Sequence, residues 1–261
     1  MSSPEKKKKF PVGIVETLWD LNLELAYLRP NYFSPDLSVL ELQGVKKGEK
    51  YAILRFVKWN ANHDLGHTGI APENKIKAVQ EFAKHARVFI SSESELPAEL
   101  ESFKIKIPPE KMHDALAFSA LLYGESATMA SECAVLGTPA IYLDDFGRGY
   151  TNEEEQKYGL VFNFTESQED QGLSIEKGIE LLTTPGLKQV WQRRRQKLLN
   201  DKIDVTNFMV WFVENYPDSV RIMQANPDFR SNFNAANGAP QVLRHHPGSL
   251  PSKTEATYPE Y

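Results

Sequence analysis

The sequence predicts an α/β fold, a Rossmann-like doubly wound parallel sheet. Residues 51–57 are a β-type run, residues 72–85 have helical spacing, and residues 88–91 are again of β type, which makes a βαβ unit. Strand and helix then alternate as far as Phe164. A βαβ unit requires a parallel sheet, and ligands of such sheets bind beyond the carboxyl ends of the strands.

The other predicted elements share the same alternation. In chain order they are a helical tendency at 12–28, a short helix Ser38–Leu42, a strand at 104–107, a helix at 110–118, strands at 120–123, Ala140–Leu143 and 160–164, and helices at 174–182, 187–199 and 205–216. The domain organisation follows from them. Residues 1–50 are an N-terminal tail and helical lead-in, 51–226 the Rossmann-like domain, and 227–261, which lack periodicity, a mostly disordered tail.

Composition excludes several classes of protein. The formal net charge of -5 and the pI of 5.8 argue against a general nucleic-acid surface, because phosphate binding needs clustered cations. The single cysteine, Cys133, excludes an internal disulfide and fits a reducing compartment. No apolar run approaches the roughly 20 residues of a membrane span, and no signal peptide is evident. We therefore expect a cytoplasmic protein.

The stretch at 123–143 carries a helix start that suits an anion. Gly124, Ser126 and Thr128 stand where an apolar strand turns into a helix, and a hydroxyl there can cap free N–H groups. These N–H groups and the positive end of the helix dipole converge on one point, which is how helices seat phosphate. An ordinary capped helix with no ligand gives the same pattern.

The loop at 58–70 is rich in polar side chains. His63 beside Asp64 predicts a phosphate contact or a general acid/base pair, although a purely structural loop is an alternative. His63 and His67 have the spacing of metal ligands on a helix, but the glycines indicate a loop and no third ligand is evident. We therefore predict no metal site.

Two further residues are candidates for the same sheet edge. His113 follows a proline pair at a helix start, where polar groups often face a cleft. Glu132 lies six residues beyond Ser126 on the predicted helix and could accept hydrogen bonds from a ribose diol. A solvated helix start and a surface glutamate are the simpler alternatives.

Four segments together resemble a known family. LRFVKWNANHD (54–64), VFISSE (88–93), IPPEKMHD (107–114) and GESATMASECAVLGTPAIY (124–142) are similar to the C-terminal half of an uncharacterised family of bacterial and archaeal GT-B-like proteins. The resemblance extends over residues 25–216. That family is in turn similar to UDP-N-acetylglucosamine 2-epimerases and GT-B glycosyltransferases, which bind a nucleotide sugar between two Rossmann-like halves, mostly through the C-terminal one.

The resemblance implies roles for individual residues. The phosphate turn of the epimerases falls on Ser126, Ala127 and Thr128, and the glutamate that holds the ribose falls on Glu132. Ala127 and Thr128 replace two glycines, so side chains crowd the approach of a phosphate to the backbone. The Thr-Glu-Arg-Pro-Glu loop of the epimerases is absent, so epimerase activity is not implied.

The resemblance also implies a missing half. A complete GT-B protein has another Rossmann-like half before residue 25, which would come from another chain or mark this one as a fragment. The apolar helix at 205–216, with Phe208, Trp211 and Phe212, is expected to face that half or a second copy. We expect a nucleotide-sugar-binding half in glycan or surface-polysaccharide biosynthesis, without a cofactor besides the nucleotide sugar. The alternative is a non-catalytic interaction module that binds a partner through this helix.

Overall fold

The fold is a parallel sheet with helices on both faces, seen in a computed structural model that describes residues 22–58, 68–145 and 149–234. Within these residues five strands pair in the order β2-β1-β3-β4-β5, and every pairing is parallel. The strands are β1 (Tyr51–Phe56), β2 (Arg87–Ser92), β3 (Leu121–Gly124), β4 (Ala140–Leu143) and β5 (Val161–Phe164). The predicted α/β fold with a Rossmann-like doubly wound sheet is confirmed.

The described helices are, in chain order, α1 (Leu25–Leu28), α2 (Ser38–Leu42), α3 (Pro72–Phe82), α4 (Met112–Phe118), α5 (Ala127–Leu136), α6 (Gly149–Glu153), α7 (Gln168–Thr183), α8 (Leu187–Asp201), α9 (Val205–Glu214) and α10 (Asp218–Ala225). Helix α6 continues into a π-helical turn, Glu154–Tyr158. Short 3-10 turns are Glu101–Phe103, Pro109–Lys111 and Pro227–Phe233. No helix of the described residues is long and apolar enough to cross a bilayer.

Alternating side chains of the strands meet helices on opposite faces of the sheet. On one face the ring of Tyr123 on β3 packs 5.2 Å from that of Phe82 on α3, and its hydroxyl lies 3.0 Å from Ser174 Oγ on α7. On the other face the Tyr51 hydroxyl of β1 donates to the Ala115 carbonyl of α4 at 2.6 Å. Because side chains alternate along a strand, both faces of β1 and β3 are buried.

Most predicted elements that fall on described residues are present, helix α10 was not predicted, and residues 12–21 of the helical tendency at 12–28 lie outside the described residues. Two further elements differ from their predictions. The strand expected at 104–107 is wrong: Lys104 forms only an isolated bridge with Ile90. Two prolines follow at 108–109, and proline lacks the N–H that a longer ladder needs. The helix predicted at 174–182 begins earlier, because Ser167 Oγ accepts the Asp170 N–H at 3.2 Å and caps it.

The N-terminal lead-in packs onto the domain. Leu25 and Leu28 of α1 are fully buried in the core. Arg29, itself buried, donates to the carbonyl of Ile203 at 2.6 Å and to that of Lys202 at 3.2 Å. The residue just after α1 is therefore anchored to the end of helix α8.

The aromatic face of α9 is covered by the chain itself. Phe208 and Trp211 are 2% and 1% exposed, so the expectation that they face a partner is wrong for these two residues. Phe229 and Phe233 pack on Trp211, with ring centroids 4.9 and 5.4 Å away. Both belong to the 3-10 helix that opens the segment predicted to be disordered, whose remainder beyond 234 lies outside the described residues.

Candidate functional site

The candidate site lies where the strand order changes direction. β2 pairs on one side of β1, and β3 pairs on the other. In a doubly wound sheet this switch point opens a crevice beyond the carboxyl ends of the two central strands. Here the segment after β1 begins at Val57 and the segment after β3 begins at Glu125.

Gly124 ends β3 in a conformation that only glycine tolerates. Its φ is +153°, and a Cβ at this position would lie 2.0 Å from the carbonyl oxygen of Arg55 on β1. The Glu125 N–H donates to that same oxygen at 3.0 Å. Gly124, predicted from the sequence as a binding residue, therefore allows the two central strands to approach at the site.

Ser126 begins α5 as the sequence predicts. Its Oγ accepts the Met129 N–H at 3.3 Å, and Gly137 ends the helix with φ +79°. The next two N–H groups, those of Ala127 and Thr128, belong to the first helical turn and have no partner within the helix. Thr128 is exposed, and Ser126 and Ala127 are half-buried. The helix start is thus open to an anion.

Glu125, which the sequence analysis did not single out, ties together the two ends of the loop after β1. Its Oε2 accepts the Val57 N–H at 2.9 Å, and its Oε1 accepts the Ile70 N–H at 2.6 Å. Lys75 lies 3.3 Å from Oε1 and balances the charge of this buried carboxylate. A glutamate directly after a buried strand is the only sequence signal for this role.

Two other carboxylates hold the same loop. Glu93 Oε2 accepts the Lys58 N–H at 3.1 Å, and Glu166 Oε2 accepts the N–H groups of Thr68 and Gly69 at 2.7 and 2.9 Å. These acidic side chains are therefore occupied by backbone donors rather than directed freely at the crevice.

The predicted pair His63 and Asp64 belongs to this loop and lies outside the described residues, as does His67. The described carboxylates hold the residues on either side of this stretch, 57–58 and 68–70. Among the described residues no group of three or more His, Cys, Asp or Glu is arranged to hold a metal ion.

We expect Glu125→Ala to lower the free energy of unfolding by about 2 kcal/mol, because it leaves two N–H groups without an acceptor where the loop is anchored. Chemical denaturation followed by circular dichroism measures the change. Glu93→Ala is the control: this residue is exposed and should cost well under 1 kcal/mol. Equal losses for the two variants would contradict the anchoring role of Glu125.

Glu132 and His113 are joined by a hydrogen bond. His113 Nε2 lies 2.9 Å from Glu132 Oε1, and the Tyr27 hydroxyl donates to the same oxygen at 2.9 Å. Glu132 is buried, and the hydrogen bond that its carboxylate accepts from His113 raises the pKa of His113, with Asp114 adding a smaller effect. Tyr27 carries no sequence signal for this contact.

The predicted residues thus form two groups along helix α5. Gly124, Ser126, Ala127 and Thr128 surround its start, and Glu132 with its partner His113 lies further along. A separation of six residues corresponds to about 9 Å along a helix axis. Burial raises the pKa of the Cys133 thiol, which faces the core and is unsuited to act as a nucleophile.

Several solved structures are similar to this chain. No protein-family model matches the chain, and no curated protein does. Similar solved structures include the spinosyn rhamnosyltransferase SpnG complexed with spinosyn aglycone, at 12% identity over 60% of this chain and 43% of that one, with a TM-score of 0.42. Another is Os79 from O. sativa in complex with UDP and deoxynivalenol-3-glucoside, at 11% identity, 66% and 42% coverage and a TM-score of 0.45.

A third similar structure is a UDP-N-acetylglucosamine 2-epimerase, at 15% identity over 74% of this chain and 49% of that one, with a TM-score of 0.42. The chain spans less than half the length of each of the three. Glycosyltransferases and UDP-N-acetylglucosamine 2-epimerases are also the classes that the sequence resemblance names.

Proposed function

We propose that the protein binds a nucleotide sugar of the UDP-sugar type, as the C-terminal half of a GT-B-like protein related to glycosyltransferases and sugar-nucleotide epimerases. The observation that carries the proposal is the position of the α5 start at the switch point of the sheet, capped by Ser126 and approached closely by β1. Helix starts at this place in doubly wound sheets favour phosphate groups.

The proposed ligand lies along α5. Ser126, with the N–H groups of Ala127 and Thr128, seats the diphosphate. Glu132 accepts the ribose hydroxyls with Oε2, since Oε1 already accepts from Tyr27 and His113. His113 supplies a positive charge near the ligand phosphates when it is protonated.

The loop after β1 contributes the second part of the proposal. Because Glu125 and Glu166 hold its ends at the same edge of the sheet, His63 and Asp64 are proposed to reach the sugar phosphate as a contact or an acid/base pair. No cofactor besides the nucleotide sugar is required.

Transfer of a sugar would need a second Rossmann-like half, which we propose comes from another polypeptide or from sequence beyond this one. The proposed setting is glycan or surface-polysaccharide biosynthesis in the cytoplasm. The alternative is an interaction module that uses Phe208, Trp211 and Phe212. It has less support because Phe208 and Trp211 are buried within the chain and Phe212 is half-buried.

Isothermal titration with UDP and UDP-N-acetylglucosamine tests the proposal. We expect Ser126→Ala to weaken UDP binding about tenfold, since a hydrogen bond to a charged group is lost. Ser167→Ala is the matched control: it removes the corresponding cap from α7, with a similar cost in stability of about 1 kcal/mol, but should leave UDP affinity unchanged.

Two results would overturn the proposal. One is the absence of binding with UDP, UDP-N-acetylglucosamine and the other nucleoside diphosphates. The other is an equal loss of affinity in Ser126→Ala and Ser167→Ala, which would point to stability rather than to a ligand contact at the start of α5.

A further inference from the structure

We propose that Tyr27 and Glu132 are positioning residues for His113. Residues 22–50, the described N-terminal segment before the sheet, would then form one wall of the site. Glu132 Oε1 accepts from the Tyr27 hydroxyl and pairs with His113 Nε2, each at 2.9 Å. Tyr27 and Glu132 are 105 positions apart in the chain.

Aromatic packing fixes the imidazole in the same place. The rings of Tyr27 and His113 lie 5.6 Å apart at an interplanar angle of 41°, and the ring of Phe33 meets His113 edge-on at 6.1 Å. His113 is therefore held by two aromatic rings from the N-terminal segment and by one carboxylate from α5.

The N-terminal segment is fastened to α4 by a second set of contacts. The Asp36 N–H donates to Asp114 Oδ1 at 2.8 Å, and Lys111 Nζ lies 2.8 Å from Asp36 Oδ2 and 3.4 Å from Asp114 Oδ2. Asp114 is buried and follows His113 directly. These contacts therefore join the segment to the start of α4 next to His113.

The charged and titratable groups around this cluster come from five elements. Glu132 is on α5, Asp114 follows His113 on α4, and Lys111 ends the 3-10 turn just before that helix. Tyr27 is on α1 with Glu24 before it, and Tyr150 of α6 lies near Tyr27. Glu132 has the largest effect on His113, and its hydrogen bond favours the protonated imidazole. Burial and Glu132 also raise the pKa of Tyr27, so its hydroxyl remains a donor at neutral pH.

Tyr27 and His113 share one acceptor, Glu132 Oε1, so the Tyr27 hydroxyl has a predictable effect on the pKa of His113. A donor from Tyr27 withdraws electron density from Oε1 and makes it a weaker partner for the imidazolium. Without the hydroxyl, Oε1 would interact with His113 and no longer with Tyr27. Tyr27 thereby tempers the basicity of His113, while its ring keeps the imidazole in place. The significance of this tuning for ligand binding rests on the proposed function.

The test is the titration of His113 in the ligand-free protein, followed by two-dimensional NMR of the imidazole C–H groups and assigned with His113→Gln. We expect Glu132→Gln to lower the pKa of His113 and Tyr27→Phe, which keeps the ring, to raise it. Tyr32→Phe is the matched control: Tyr32 is in the same segment and equally exposed, 42% against 41%, but its hydroxyl donates to Asp204. It should leave His113 unchanged.

Opposite shifts in the first two variants support the proposal, because a merely structural loss would not separate them by sign. An unchanged His113 titration in Glu132→Gln, or the same shift in Tyr27→Phe as in Tyr32→Phe, overturns it. UDP titration between pH 5.5 and 8.5 then tests the link to the ligand. If the NMR shifts are as expected and UDP does not bind, the proposed function fails and the positioning role stands.

Discussion

Gly124→Ala is expected to lower the free energy of unfolding by about 3 kcal/mol, the largest loss we expect from any single methyl group in this chain. An added Cβ would lie 2.0 Å from the Arg55 carbonyl oxygen, 2.8 Å from its carbonyl carbon and 2.9 Å from its nitrogen. All three are backbone atoms of β1, the strand that pairs with β3 at this residue. Relief of the overlap therefore requires the two central strands to separate.

Chemical denaturation with a parallel thermal melt measures the effect. Gly172→Ala is the matched control, because Gly172 is inside helix α7 and its Cβ would meet nothing within 4 Å. Replacing a helical glycine in open space should stabilise the protein by about 0.5–1 kcal/mol. If Gly124→Ala were as stable as the parent protein, the close contact between Gly124 on β3 and Arg55 on β1 would be contradicted.

A loss of stability in Gly124→Ala would also change the interpretation of Gly124, which the sequence analysis predicts to be a binding residue. Gly124 is predicted as part of a phosphate turn, but the structure gives it a conformational reason that exists without a ligand. A loss of UDP binding in Gly124→Ala would therefore report a disturbed site and not a lost contact. The Ser126 and Ser167 pair is free of this ambiguity, since both serines cap helices in the same way.

The helix and strand after Gly124 were predictable because their signals are local. A serine cap, a glycine at the helix end and a four-residue apolar run are each adjacent in sequence to the element they define. The parallel sheet follows from the same kind of signal, because alternation of strand and helix leaves few other arrangements. The strand predicted at 104–107 is wrong because an apolar alternation of four residues does not show whether a partner strand continues beside it, and only Lys104 pairs, with Ile90.

The contacts that shape the candidate site were not predictable in this way. Glu125 binds N–H groups 55 and 68 positions away, and Tyr27 binds Glu132 across 105 positions. No local pattern encodes such pairs. The same holds for α9, whose apolar spacing indicates that Phe208 and Trp211 are buried but does not say that Phe229 and Phe233 cover them.

Glu154 should make stability fall as the pH rises. Its side chain is fully buried at the start of the π-helical turn, where Oε1 accepts from Asn22 Nδ2 at 2.8 Å and Ser131 Oγ at 2.6 Å. Among the described residues, none forms a hydrogen bond with Oε2. Burial and, to a smaller extent, the nearby carboxylate of Glu24 raise the pKa of Glu154 to about 8. Burial also raises the pKa of Glu24 itself.

The free energy of unfolding falls with rising pH because the folded and unfolded states bind different numbers of protons. The unfolded chain loses this proton near its ordinary pKa of 4.5, whereas the folded protein keeps it until about pH 8. Between these values the folded state binds more protons, so the free energy of unfolding falls as pH rises, by at most about 1.4 kcal/mol per pH unit from this group. Above the folded pKa the loss from Glu154 is complete and no longer grows.

Glu154→Gln tests this directly, because the amide has the shape of the protonated carboxyl and does not titrate. We expect its stability, measured by urea denaturation from pH 5 to pH 9, to decline less steeply than that of the parent protein and to exceed it at pH 8.5. Glu214→Gln, an exposed residue at the end of α9, should follow the parent curve. A Glu154→Gln curve parallel to the parent would mean that the buried carboxyl ionises at its ordinary pKa. The carboxylate would then need a counter-charge or a water at Oε2.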